Sequence, residues 1–222
     1  MNREFRRILL KDNDTIPVLA GNLEPKLLTG LKTTLLKIKN NKPTSHNKYL
    51  AGAIREEYTV EHQDVLEILY FLDEMYGTYY DVFSPLPETH QHVNFSASNQ
   101  AEIGKLWVNF QKKHEFNPIH HHDGLVSFVI WVQIPFDIKK EQKLYNNGTV
   151  NFTSQFQFVY RGLTHDIVLN SFPVEKDWEG TVLMFPASLN HCVYPFYTSD
   201  GYRISVSGNI SLPATEEIAN DQ

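Results

Sequence analysis

The chain has 222 residues, 41% of them hydrophobic and 13% aromatic, which supplies a sizeable core and argues against global disorder. A net charge of −6 argues against a broad basic face for nucleic-acid backbones, and no run approaches the ~18–20 apolar residues of a membrane span. Cys192 is the single cysteine, so an intramolecular disulfide is excluded and a thiolate-rich structural zinc site is disfavoured.

In chain order, "MNREFRRILLKDND" is basic but meets charge after two leucines, so it lacks the apolar region of a signal peptide. A cytoplasmic protein is expected, with the sequons at Asn94 and Asn147 as chance matches. Residues 23–39 predict a helix, because Leu27, Leu31 and Leu35 recur every four residues. Pro25 suits its first turn, and Lys37 and Lys39 suit the negative end of its dipole. A second helix is predicted from about Glu61 to Met75, with Val65, Ile68, Leu69 and Leu72 on one face, Thr59 as N-cap and Gly77 as terminator.

From about His92 the pattern changes to period two. "KLWVNFQKK" sets Leu106, Val108 and Phe110 against Trp107, Asn109 and Gln111. "LVSFVIWVQIPF", "TVNFTSQFQFVY", "GTVLMFPAS" and "YRISVSGNISL" follow, rich in β-branched and aromatic residues. Strands in succession without helical periodicity predict an antiparallel barrel or sandwich. The expected organisation is one domain, mainly β: a helical part at 1–90 packed outside a β-barrel at 91–212, then a tail at 213–222.

"NPIHHHDG", residues 117–124, is the densest cluster of metal-binding side chains. Neighbouring strand residues face opposite ways, so only alternate members can converge on one ion. His120 with His122, or His121 with Asp123, are the two pairs. The third ligand would come from a distant strand, and His191 in "FPASLNHCVYPF" follows a strand and a Pro-containing turn. Three ligands with open positions describe a catalytic metal site. His90 and His92 form a weaker His-x-His pair, and the isolated His46, His62, His114 and His165 read as surface or core residues. Twelve residues after His191, Arg203 opens a strand face shared with Ser205, Ser207 and Asn209. A guanidinium aimed into a barrel needs a partner, and a carboxylate gripped by two parallel hydrogen bonds would serve.

"NPIHHH", "SFVIWVQIP", "GTVLMFPASLNHCVYPF" and "GYRISVSGNI" together resemble the 2-oxoglutarate/Fe(II)-dependent oxygenase superfamily. The resemblance covers about residues 105–211 and is nearest to a bacterial and cyanophage branch with a Pro-x-His-x-His motif. It implies a double-stranded β-helix (a jelly-roll, cupin-like barrel) with Fe(II) at its open end, 2-oxoglutarate as cosubstrate and dioxygen as oxidant. It places the metal on His120, His122 and His191 and the far carboxylate of 2-oxoglutarate on Arg203. Ser205 and Asn109 are expected beside the cosubstrate, and Gln133 is a weaker candidate. Trp107 and Trp131 are expected in the core or cavity wall.

The superfamily's usual triad contains a carboxylate, so His121 with Asp123 stays as the alternative frame. The resemblance further implies a host-cytoplasmic location if the chain is phage-encoded. A three-His metal enzyme that does not use 2-oxoglutarate, and a non-catalytic barrel with an assembly role, are the competing readings. Neither the primary substrate nor a homodimer can be decided from the sequence.

Overall fold

Residues 126–133, VSFVIWVQ, are buried along almost their whole length, and this fixes where the strand sits. A strand with one wet face alternates in polarity; one apolar on both faces needs cover on both sides. In the computed structural model, which describes residues 3–41, 43–83, 101–144 and 151–213, it is the middle strand of a seven-stranded sheet. Val126, Phe128, Ile130 and Val132 pack towards two helices, while Val129 and Trp131 enter the space between this sheet and a four-stranded one.

The large sheet runs β1 (Arg6–Arg7), β2 (Leu19–Asn22), β9 (Thr181–Pro186), β6 (Val126–Gln133), β11 (Arg203–Ser211), β4 (Glu102–Gln111) and β3 (Glu57–Val60). The small sheet runs β5 (Asn117–His120), β10 (His191–Val193), β7 (Phe156–Arg161) and β8 (Ile167–Phe172). Every pairing between these strands is antiparallel. The mainly-β sandwich read from the sequence is therefore the architecture found.

Helices α1 (Pro25–Asn40) and α2 (Leu66–Phe83) cover the outer face of the large sheet, and the short α3 (Ile138–Leu144) follows β6. Leu31 and Leu35 of α1 are buried with Ile68, Phe71, Leu72 and Met75 of α2 against Leu106, Val108 and Phe110 of β4. Full burial of such a side chain stabilises by about 1.5–3 kcal/mol, so this contact holds the helices more than intrinsic propensity does. No helix among the described residues is long and apolar enough to cross a membrane.

The first helix agrees with its sequence pattern, including Pro25 in the first turn and Lys37 and Lys39 in the last. The second differs at both ends. Thr59 is not an N-cap but part of β3, and a single 3-10 turn at His62–Asp64 precedes α2. Gly77 does not end the helix, which continues to Phe83 because Met75, Tyr76 and Tyr79 keep the buried stripe going. The first 83 residues also contribute β1, β2 and β3 to the large sheet, so that part of the chain is not purely helical. The predicted onset of strands at His92 lies outside the described residues; β4 begins at Glu102.

At one crossing a glycine is obligatory. Gly208 of β11 lies opposite Phe128, and an added Cβ would meet the Phe128 ring at 2.6 Å. A side chain there would push that ring out of the core.

Candidate metal centre

His120 closes β5 and His191 opens β10, and the antiparallel register sets them directly opposite each other. His122 lies two residues further on, its main-chain N–H donating to the Ala187 carbonyl at 2.9 Å. Ring centroids are 4.3 Å apart for His120–His191, 5.0 Å for His120–His122 and 5.2 Å for His122–His191. One ligand atom from each lies within 4.8 Å of the other two, the one such His/Cys/Asp/Glu group among the described residues. His121 and Asp123 are exposed and line an outer groove with Tyr49 and Lys105. Thus the structure groups the first of the two candidate pairs with His191.

Two of the rings are oriented by carbonyls two residues earlier in the chain. His120 Nδ1 lies 2.7 Å from the Pro118 carbonyl and His191 Nδ1 lies 2.9 Å from that of Leu189. A carbonyl only accepts, so each Nδ1 carries the proton and each Nε2 keeps a lone pair for a metal. Loss of solvent pulls His122 down to about 4 and His191 down to about 3, with the neighbouring imidazoles adding to the effect. His120 is lowered for the same first reason, against a raising effect of its bond to Pro118. All three are therefore neutral at physiological pH, the form that binds a metal. This donor set fits a divalent first-row ion.

Behind the histidines, the same cavity is walled by Asn109, Gln111, Arg203, Ser205 and Ser207. Their common direction follows from register: Arg203 pairs with Gln111, Ser205 with Asn109 and Ser207 with Trp107, all on the inner face. Asn109 Nδ2 donates to Ser205 Oγ at 3.2 Å, while Asn109 Oδ1 is buried without a partner. Trp107 and Trp131 are cavity wall, and Trp107 stacks on the buried His46 ring at 5.4 Å. Gln133 is not in that wall: it donates to the Tyr202 carbonyl at 2.8 Å. His62 lies 2.8 Å from the Gly104 carbonyl, and His90 and His92 lie outside the described residues.

Arg203 is only 3% exposed. Its Nε donates to Gln111 Oε1 at 2.9 Å, Nη1 to the Ser154 carbonyl at 2.9 Å and Nη2 to the Tyr194 carbonyl at 2.6 Å. Phe136 and Phe196 lie 5.7 and 5.6 Å from its Cζ. Burial lowers its pKa to about 9 and Glu141 opposes that shift, so it stays cationic at neutral pH. Its partners within the chain are thus neutral acceptors, and among the described residues no carboxylate of the protein is in contact with it. These three bonds use three of five N–H donors, which leaves two for a ligand in the cavity. Gln111 was legible from the alternation of β4; the Ser154 and Tyr194 carbonyls carry no side-chain signal.

Residues 105–209 match the profile of a family described as "Putative 2OG-Fe(II) oxygenase". Over this stretch, just under half of the chain, the sequence is similar to that family. No curated protein matches the chain by sequence.

Among solved structures, a prolyl-4-hydroxylase from Pseudomonas putida is 12% identical, covers 90% of this chain and 95% of its own, and has a TM-score of 0.56. HygX from Streptomyces hygroscopicus, solved with nickel and 2-oxoglutarate bound, is 11% identical over 90% of this chain and 85% of its own, with a TM-score of 0.53. A 2OG-Fe(II) oxygenase family oxidoreductase from Burkholderia pseudomallei is 14% identical over 88% and 84%, with a TM-score of 0.52. At such identities the likeness is one of fold, and that fold is the expected double-stranded β-helix.

Proposed function

We propose that this protein is a 2-oxoglutarate- and Fe(II)-dependent oxygenase that hydroxylates its substrate, with the metal held by His120, His122 and His191 and 2-oxoglutarate held by Arg203, Ser205 and Asn109. One observation carries the reading: a buried, cationic Arg203 shares a cavity with three neutral, converging histidines. A cation kept in an apolar wall by neutral acceptors retains its charge for an anion. The chemistry that bound Fe(II) and 2-oxoglutarate supply is activation of dioxygen, coupled to oxidative decarboxylation of the cosubstrate to succinate.

The chain's own contribution is arrangement. His120 and His191 present Nε2 with ring angles set by Pro118 and Leu189. Arg203 fixes the far carboxylate, which sets the reach of the 2-oxo acid end towards the histidines. Ser205 adds a hydroxyl on the same face. Asn109 supports Ser205; rotating its amide by half a turn would let Ser205 donate to Oδ1 and turn Nδ2 to the cavity. Phe156 and Phe185 lie 5.9 and 5.1 Å from the His191 ring, and with Trp131 they give the cavity an apolar side that excludes bulk water from the reacting end.

Calorimetry on Mn(II)-loaded protein tests the reading. Arg203→Ala should weaken 2-oxoglutarate binding by about one to two decades, the worth of a charge-assisted pair of ~1.5–3 kcal/mol. Mn(II) affinity should stay, because Arg203 is not a ligand. Unchanged 2-oxoglutarate affinity would remove Arg203 from this role. The wholly neutral ligand set favours one alternative, a three-His metal enzyme that does not consume 2-oxoglutarate. Succinate formed in proportion to oxygen consumed rejects it.

A further inference from the structure

A second charged group is buried near this cavity and takes no part in the proposed metal or cosubstrate contacts. Glu141 of α3 is fully buried although it sits on a short surface helix. Its Oε2 accepts the Tyr197 N–H at 2.9 Å, and its Oε1 accepts the Thr198 N–H at 2.6 Å and the Thr198 hydroxyl. Both oxygens are thus bound to one short segment, residues 197–198.

That segment continues the loop that encloses Arg203. Tyr194 accepts from Nη2, and Phe196 lies against the guanidinium. The Pro195 carbonyl accepts the Ser154 N–H at 2.9 Å, and Ser154 in turn accepts from Nη1. Phe136, just before α3, packs on Phe196 at 4.9 Å and completes the aromatic wall. Glu141 therefore ties α3 to the loop that carries one of the three acceptors orienting Arg203, the Tyr194 carbonyl, and that holds a second, Ser154, through Pro195. Among the described residues Arg203 makes no ion pair within 4.0 Å, while Glu141 is the charge that acts on it. A carboxylate in direct contact would consume the N–H donors a dicarboxylate needs. Held on main-chain N–H groups instead, it steadies the cation and leaves those donors free.

Resting on the proposed cosubstrate role of Arg203, we propose that Glu141 is a positioning residue for 2-oxoglutarate: by clamping residues 197–198 to α3 it holds the Tyr194–Phe196 loop that aims Arg203 into the cavity. The sign of the effect separates positioning from plain electrostatics. Removing a negative charge near a site for a dianion should tighten binding, whereas loosening the loop should weaken it. Glu141→Gln keeps the size but faces the Tyr197 N–H or the Thr198 N–H with an amide NH2, so one tether is lost.

The measurement is calorimetry on Mn(II)-loaded full-length protein with 2-oxoglutarate, and with pyruvate, a 2-oxo acid that lacks the far carboxylate. Glu141→Gln should weaken 2-oxoglutarate binding about tenfold, leave pyruvate and Mn(II) affinities unchanged, and cause no further loss in an Arg203→Ala background. Unchanged or tighter 2-oxoglutarate binding overturns the proposal, as does equal weakening of Mn(II) or pyruvate, which would mean general damage. Wild-type protein that binds Mn(II) but not 2-oxoglutarate overturns the Arg203 reading and this one with it. If Glu141→Gln does not fold, Thr198→Val removes the hydroxyl bond alone. A loss of about two- to fivefold confined to 2-oxoglutarate then supports the proposal, and no loss rejects it.

Discussion

One nitrogen in each of the His120 and His191 rings is already engaged by a carbonyl two residues earlier in the chain. The other nitrogen of each ring is thereby left with a free lone pair. This gives a sharp contrast between adjacent residues. His120→Ala, His122→Ala and His191→Ala should each abolish stoichiometric Fe(II) or Mn(II) retention after gel filtration, while His121→Ala should keep it, as read by metal analysis. Retention lost in His121→Ala and kept in His122→Ala would move the centre to the other frame. The two frames were both open from strand alternation alone, because the period-two rule limits ligands to alternate positions but does not say which face looks inward. The chain turns after β5, where the His122 N–H reaches Ala187, and this places His122 rather than His121 beside His191.

At the level of elements, long runs with a persistent period were the legible ones. β4, β6, β9 and β11 stand where alternating or continuous apolar sequence put them. The short strands β1, β2, β3, β5 and β10, of two to four residues, offer too few positions to establish a period. β3 also hides its burial pattern, since it opens on a buried Glu57. The end of α2 was misjudged because Gly77 looks like a terminator, yet the apolar stripe continues past it. Gly77 has no positive φ, and an added Cβ would meet nothing within 4 Å. Gly77→Ala should therefore stabilise the protein by about 0.5–1 kcal/mol in urea denaturation, as expected inside an exposed helix face. A destabilising effect would mean that the helix breaks there.

Across the whole molecule, buried titratable groups shape the dependence of stability on pH. His122 and His191 are held below the ordinary histidine value, so the unfolded chain takes up protons near pH 6.5 that the folded apo-protein refuses. Their contribution is present above that pH and is lost as pH falls towards about 4 and 3. Glu57 acts in the opposite sense. Desolvation, with Glu115 adding, raises it to about 7, so the folded state keeps a proton the unfolded chain has released. Its contribution is full below about 4.5 and disappears as pH rises through 7. Glu57→Gln should therefore gain on wild type by up to about 3 kcal/mol between pH 4.5 and 7.5, measured by urea denaturation. A difference constant across that range would show that Glu57 does not titrate with folding.

The position of β5 has a kinetic consequence. It is a four-residue edge strand, joined within its sheet only to β10 through His120 opposite His191 and an irregular step to Asn117 opposite Val193. A single ion bound by both histidines would act as a clasp across that edge and slow its fraying. Amide deuterium uptake in a peptide spanning 115–122 should slow when Mn(II) is added, while peptides from β6 and β11, closed in on both sides, should exchange slowly with or without it. Metal occupancy would then be written in the opening rate of one short strand.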